Sequence, residues 1–155
     1  MSDMKIIGVG TSAPDFKIKN QAEEAVTLSG LSGKKVLLSF HPLAWTTICR
    51  DQMLSLENNF DIFKKYNTVP LGISVDSVPC KKAWADSMGL KSLQILSDFW
   101  PHGAVSRDYE NFIDKFGFSG RANILIGAAG QILWSKVYPI KELPDIDEVI
   151  SAIKK

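Results

Sequence analysis

The stretch from Lys35 to Cys49 constrains this chain most. Lys35-Val36-Leu37-Leu38-Ser39-Phe40 is a nearly continuous apolar run, the pattern of a strand buried on both faces. It leads into Pro42, and from Trp45 to Tyr66 apolar residues fall at 49, 53, 56, 60 and 63, the spacing of a helix stripe. A strand that must be covered on both sides, followed at once by an amphipathic helix, demands a layered α/β packing. Cys49 takes the first position of the stripe. A thiol in the first turn of a helix meets unpaired N–H groups and the positive end of the helix dipole. Both stabilise the thiolate, which is the nucleophilic form.

The rest of the chain reads in the same style. Asp15–Lys19 and Val26–Leu28 alternate like strands, and Gly30 to Gly33 is a turn. Thr68–Val75 is a second buried strand, ending in Asp76-Ser77, which can cap a helix over Val78–Met88 that stops at Gly89. A short strand is expected at Leu93–Leu96 and a helix over Ser106–Lys115, ending at Gly117. Ala122–Ile126 and Ile132–Val137 form a hairpin across Gly127-Ala128-Ala129-Gly130. A last helix covers Ile146–Lys154. No repeat or linker interrupts the pattern, and 155 residues suit one domain, 1–155. The expectation is an α/β sandwich with a mixed central sheet flanked by helices.

Composition excludes several functions. The 18 basic residues nearly cancel the 17 acidic ones, so nucleic acid and anionic membrane are not expected partners. The pairs Lys34-Lys35, Lys64-Lys65, Lys81-Lys82 and Lys154-Lys155 read as solvated surface. No apolar run approaches the ~20 residues of a membrane span. Met1-Ser2-Asp3-Met4-Lys5 lacks the basic start and apolar core of a signal peptide, which makes a cytoplasmic location the expectation. There, a disulfide between the two cysteines would be transient and catalytic rather than structural. Neither cysteine lies in a C-x-x-C or zinc spacing, and His41 and His102 read as structural or solvent-facing. Gly8-Val9-Gly10-Thr11-Ser12-Ala13 fits a dinucleotide fingerprint, but Pro14 and the strand-like Phe16–Lys19 deny it the helix that pyrophosphate needs. No metal and no organic cofactor is expected.

Pro42-x-x-x-Thr46-x-x-Cys49 resembles the peroxidatic motif of the peroxiredoxins, thioredoxin-fold enzymes that reduce hydroperoxides. Ala13-Pro14-Asp15-Phe16, Gly33–Leu38 with Phe40 and Pro42, Ile73–Ser77 and Leu96-Ser97-Asp98 are similar to further family motifs in the same order. Arg121-Ala122 falls where the family has its second catalytic arginine region. The likeness spans about residues 10–140. It implies a thioredoxin-like sandwich with an N-terminal β extension. It also implies a Cys49 thiolate that attacks peroxide, a Thr46 hydroxyl against the sulfur or a peroxide oxygen, Arg121 on the pocket floor, and Pro42 shaping the mouth. Departures are His41 where an aromatic residue is usual, Arg50 after the cysteine, Gln52 where many members carry Glu, and Gly127 in place of an acidic residue.

Thiolate formation alone cannot make a peroxidase. Lowering a thiol from a pKa of about 8.5 to about 6 raises its thiolate fraction roughly thirtyfold at pH 7, while the accompanying loss of nucleophilicity cancels about tenfold. Positioning the peroxide and stabilising the departing oxygen must supply the rest. Cys80 has two readings: a resolving cysteine that condenses with the Cys49 sulfenic acid, or a bystander thiol. Leu54, and the absence of a cysteine near the C-terminus, remove two other resolving schemes of the family. The resemblance implies a hydroperoxide substrate, a thiol reductant of thioredoxin type or another kind, and a homodimer. Two other functions stand beside the peroxidase: a peroxide sensor or holdase on the same fold, and a non-enzymatic binding module.

Overall fold

A computed structural model describes residues 6–155, so the Met1–Lys5 segment read above for a leader lies outside the described residues. In chain order the elements are β1 (Lys17–Lys19), β2 (Ala25–Thr27), β3 (Lys35–Phe40), α1 (Thr47–Asn58), α2 (Phe60–Lys65), β4 (Thr68–Ser74), α3 (Val78–Met88), β5 (Gln94–Ser97), α4 (Ala104–Asp108), β6 (Phe112–Ile113), β7 (Phe118–Ser119), β8 (Arg121–Ile126), β9 (Ile132–Tyr138) and α5 (Ile146–Ile153). The main sheet runs β2-β1-β5-β4-β3-β8-β9. β3 pairs parallel with β4 and antiparallel with β8. It is therefore central, which is why its run is apolar on both faces.

The period of two along β3 sorts its side chains into two cores. Val36, Leu38 and Phe40 join Leu71, Ile73, Leu96, Tyr109 and Ile124 on one face. Leu37 joins Met53, Leu56, Phe63, Trp84, Leu125, Val149 and Ile153 under the helices of the other face. The expected N-terminal β extension is the antiparallel pair β1–β2, joined to the sheet through Lys19 opposite Ser97. No helix among the described residues is long and apolar enough to cross a membrane.

Two expected helices differ. The single helix over 45–66 divides at Asn59, whose φ of −108° and ψ of 16° leave the helical region. Its side-chain amide donates to Ser55 O at 2.7 Å, satisfying a carbonyl at the end of α1. The helix over 106–115 is replaced by the short α4 and the β6–β7 hairpin. Here the buried Asp98 carboxylate accepts the N–H groups of Val105 and Ser106, each at 3.0 Å, and starts the helix early. Glu110 (φ 57°) and Gly117 (φ 75°) then take left-handed backbone that no helix continues through. Periodicity carries no trace of a distant carboxylate acting as a cap.

The topology makes one edge of the sheet special. The parallel strands β3 and β4 both end there, and β8 begins there. Ala122 lies opposite Phe40, so alternation turns Arg121 to the face that carries Leu37, Leu125 and α1. Cys49 and Arg121 meet for that reason, although 72 positions separate them.

Candidate active site

Cys49 is the third residue of α1 and has no exposed surface. Arg50 N–H donates to Thr46 O, so the N–H groups before it belong to the open first turn of the helix. Arg121, itself buried, donates from Nη1 to Cys49 Sγ at 3.4 Å and to Gln52 Oε1 at 2.7 Å. Its Nε and Nη2 both donate to Ile140 O, at 2.9 and 2.7 Å. That carbonyl fixes the plane of the guanidinium. Gln52 lies one turn after Cys49 on the same face, and its Nε2 donates to Ser39 Oγ at 2.7 Å and Phe40 O at 3.2 Å. Gln52 is neutral, and among the described residues no carboxylate lies within 4 Å of Arg121. A buried cation needs an anion, and the group in contact with it that is able to become one is Cys49.

Thr46 has the extended backbone of a helix cap, with φ −99° and ψ 150°. Its hydroxyl departs from the expected cap and sulfur contact. It is exposed and donates to Leu43 O at 2.8 Å, without capping α1 or touching the sulfur. The Leu43–Thr46 turn brings that carbonyl within reach, while the sulfur lies below in the core. Pro42 is buried beneath this turn. Ala44 N–H donates to Asp76 Oδ2 at 2.8 Å, tying the turn to the start of α3. Trp45 holds a φ of +69°, costly for a residue with a Cβ. It lines a hollow with Thr46, Thr47, Arg50, Trp84 and Ser87. Cys49 does not reach that hollow.

Cys80 lies in the first turn of α3, half-buried, with its N–H donating to Ser77 Oγ at 3.4 Å. Its Sγ sits 3.8 Å from Asp76 Oδ1. Burial, and then the Asp76 charge, push this thiol above its ordinary range. It is partly buried against the same hydrophobic cluster as Cys49, and both thiols are free.

One position contradicts the sequence reading: Lys81, read as solvated surface, is wholly buried. His41, read as structural or solvent-facing, is buried beside it. Lys81 follows the helix stripe Lys81, Trp84, Ala85, Met88, and that periodicity was the available signal. The anchor at Ile140 O is a main-chain group, which side-chain motifs cannot reveal.

A buried cysteine paired with a guanidinium, at the head of a helix that follows a central strand, defines a thiol-dependent redox enzyme on a thioredoxin-like fold. Comparison with known proteins narrows the class. The AhpC/TSA family model matches residues 9–135. The chain is 38% identical over 141 residues to alkyl hydroperoxide reductase E of Mycobacterium tuberculosis, spanning 90% of this chain and 92% of that one. It is 31% identical to a mitochondrial thioredoxin-dependent peroxide reductase of Drosophila melanogaster, spanning 96% and 66%. The crystal structure of reduced Plasmodium vivax 2-Cys peroxiredoxin matches with a TM-score of 0.87 at 30% identity, over 94% of this chain and 80% of that one. The chain belongs to the AhpC/TSA family of peroxiredoxins. It is a thiol-dependent peroxidase that acts on hydroperoxides and is regenerated by a thiol reductant.

Proposed function

We propose that Cys49 is the peroxidatic nucleophile and that Arg121, Thr46 and Pro42 form its peroxide socket. The Arg121 Nη1–Cys49 Sγ approach of 3.4 Å carries this reading. The thiolate attacks the near oxygen and the O–O bond breaks. Sulfur is oxidised to sulfenic acid, and the departing oxygen takes a proton and leaves as water or an alcohol. Arginine has five N–H donors. Four are engaged with Ile140 O, Gln52 and the sulfur, so one Nη2–H remains for the developing oxyanion. Thr46 donates its proton to Leu43 O, which leaves the hydroxyl lone pairs to accept from a peroxide O–H. Because the sulfur is covered, peroxide is admitted by displacement of the 42–46 turn.

Cys80 is the resolving cysteine in this reading. It has no other covalent partner and shares a hydrophobic cluster with Cys49. A disulfide requires Cα atoms within about 7 Å and matching Cβ directions, so the first turn of α1 unwinds to deliver the sulfenic acid. Intact mass and thiol counting after one equivalent of peroxide test it. The expected result is loss of both thiols without a retained oxygen. The rate of bridge formation rises towards alkaline pH, because burial and Asp76 hold the Cys80 thiol protonated at neutrality. A persistent sulfenic acid beside a free Cys80 makes the enzyme a one-cysteine peroxidase reduced by an external thiol.

The reductant is proposed to be thioredoxin-like and the location cytoplasmic, where such thiols recycle a transient disulfide. A homodimer belongs to the same reading. Exposed Phe99 and Trp100, the latter 80% exposed, are the apolar residues for it to cover. Sedimentation velocity is expected to give twice the chain mass of 17.1 kDa, and a monomer at micromolar concentration refutes the dimer.

A further inference from the structure

Lys81 presents an electrostatic problem. Its side chain is wholly buried, and among the described residues its ammonium has one hydrogen-bond partner, His41 Nε2 at 2.8 Å. The Trp84 ring lies 5.4 Å away. Among the described residues no carboxylate lies within 4 Å. An ammonium only donates, so His41 accepts at Nε2 and directs Nδ1–H to Ser39 O, 3.4 Å away. Burial, then the neighbouring Lys81 charge, hold His41 well below its ordinary range, so it is the neutral partner.

This pair ends a continuous buried polar chain. Cys49 Sγ and Gln52 Oε1 accept from Arg121, Gln52 Nε2 donates to Ser39 Oγ, Ser39 O faces His41 Nδ1, and His41 Nε2 faces Lys81. All six residues are at most 2% exposed. The chain carries two cations, Arg121 and Lys81, and one group able to become an anion, Cys49.

We infer that Lys81, held by His41, is a positioning residue of the peroxidatic site, supplying a second buried positive charge that favours the Cys49 thiolate. The inference rests on Cys49 being the nucleophile. The ionisable groups acting on Lys81 are Asp76, before α3, Cys49 on α1 and Cys80 on α3, while Arg121 on β8 acts on His41. Burial lowers Lys81 to about 7, opposed first by Asp76 and then by Cys49 and Cys80. Its charge is thus full below neutrality, about half present at pH 7, and lost as pH rises further. The reaction rate inherits that loss as an alkaline fall.

The test is the pH profile of Cys49, from pH 5 to 10, by two routes. One is alkylation with iodoacetamide, read on the Cys49 peptide by mass spectrometry. The other is single-turnover oxidation by hydrogen peroxide. Wild type is expected to show an alkaline fall in the oxidation rate. Lys81→Met, which keeps the volume and drops the charge, abolishes the fall and moves the alkylation profile about one pH unit higher, while the cooperative unfolding transition persists. His41→Phe removes the acceptor and moves the fall to lower pH. A merely structural Lys81 would leave the shape of the profile unchanged. Superposable profiles for wild type and Lys81→Met overturn the inference, and so does a wild-type rate that stays level to pH 10, even if neither variant folds. A Cys49 that neither alkylates nor oxidises at any pH overturns the nucleophile reading and this inference with it.

Discussion

Cys49→Ser is expected to eliminate catalytic peroxide consumption, by at least about 1000-fold, in an assay with dithiothreitol as reductant. A serine hydroxyl in the same place is neither ionised nor readily oxidised, and the remaining groups only bind and orient. The substitution removes one buried sulfur and adds a small polar group beside a guanidinium that can donate to it, so the fold persists. The comparison also separates the three functions open at the level of sequence. Rapid turnover lost in the variant marks the enzyme. One stoichiometric oxidation without turnover would mark a sensor, and no reaction in wild type would mark a binding module.

Arg121→Lys is expected to slow single-turnover oxidation of Cys49 about 100-fold, although the charge is kept. Lysine is a point charge with three donors on a flexible stem. It cannot hold Ile140 O with two bonds while also reaching Gln52 Oε1, the sulfur and a departing oxygen. Losing one preorganised donor at a developing oxyanion costs about 100- to 1000-fold in other enzymes. Stability falls as well, by about 1–3 kcal/mol, because buried acceptors lose their partner. Stopped-flow oxidation and urea unfolding measure the two effects separately. A variant with the wild-type oxidation rate would place the oxyanion stabilisation elsewhere and sink the socket as drawn.

Cys49 and Arg121 differ in how much of each is legible in the neighbouring residues. Cys49 stands out as the candidate nucleophile because the features that mark it lie in the run 35–49: an apolar strand, a proline and a helix start. Thr46 sits in the same run, and its backbone is that of a cap, yet its hydroxyl turned to Leu43 O. A hydroxyl has several acceptors within reach, and only the shape of the turn selects one. Arg121 is marked in the sequence by resemblance alone, and the alternation of β8 against β3 explains why it reaches the site. Gln52 stands out in the sequence only as a departure from the family pattern, and its place between Arg121 and Ser39 depends on the packing of α1 on the sheet.

Local spacing alone determined the seven strands of the main sheet, most of the helices, the candidate nucleophile and the layered class of the fold, because periodicity records which face of an element is buried. Tertiary structure decided what lies against each buried face. It split the helix at Asn59, turned the segment after Asp108 into a hairpin through a cap from Asp98, and drew Lys81 out of the solvent beside His41. It also set Arg121 against the sulfur. Each of those outcomes depends on a partner brought close by sheet pairing or helix packing across tens of residues, and such proximity leaves no mark on the pattern of neighbouring amino acids.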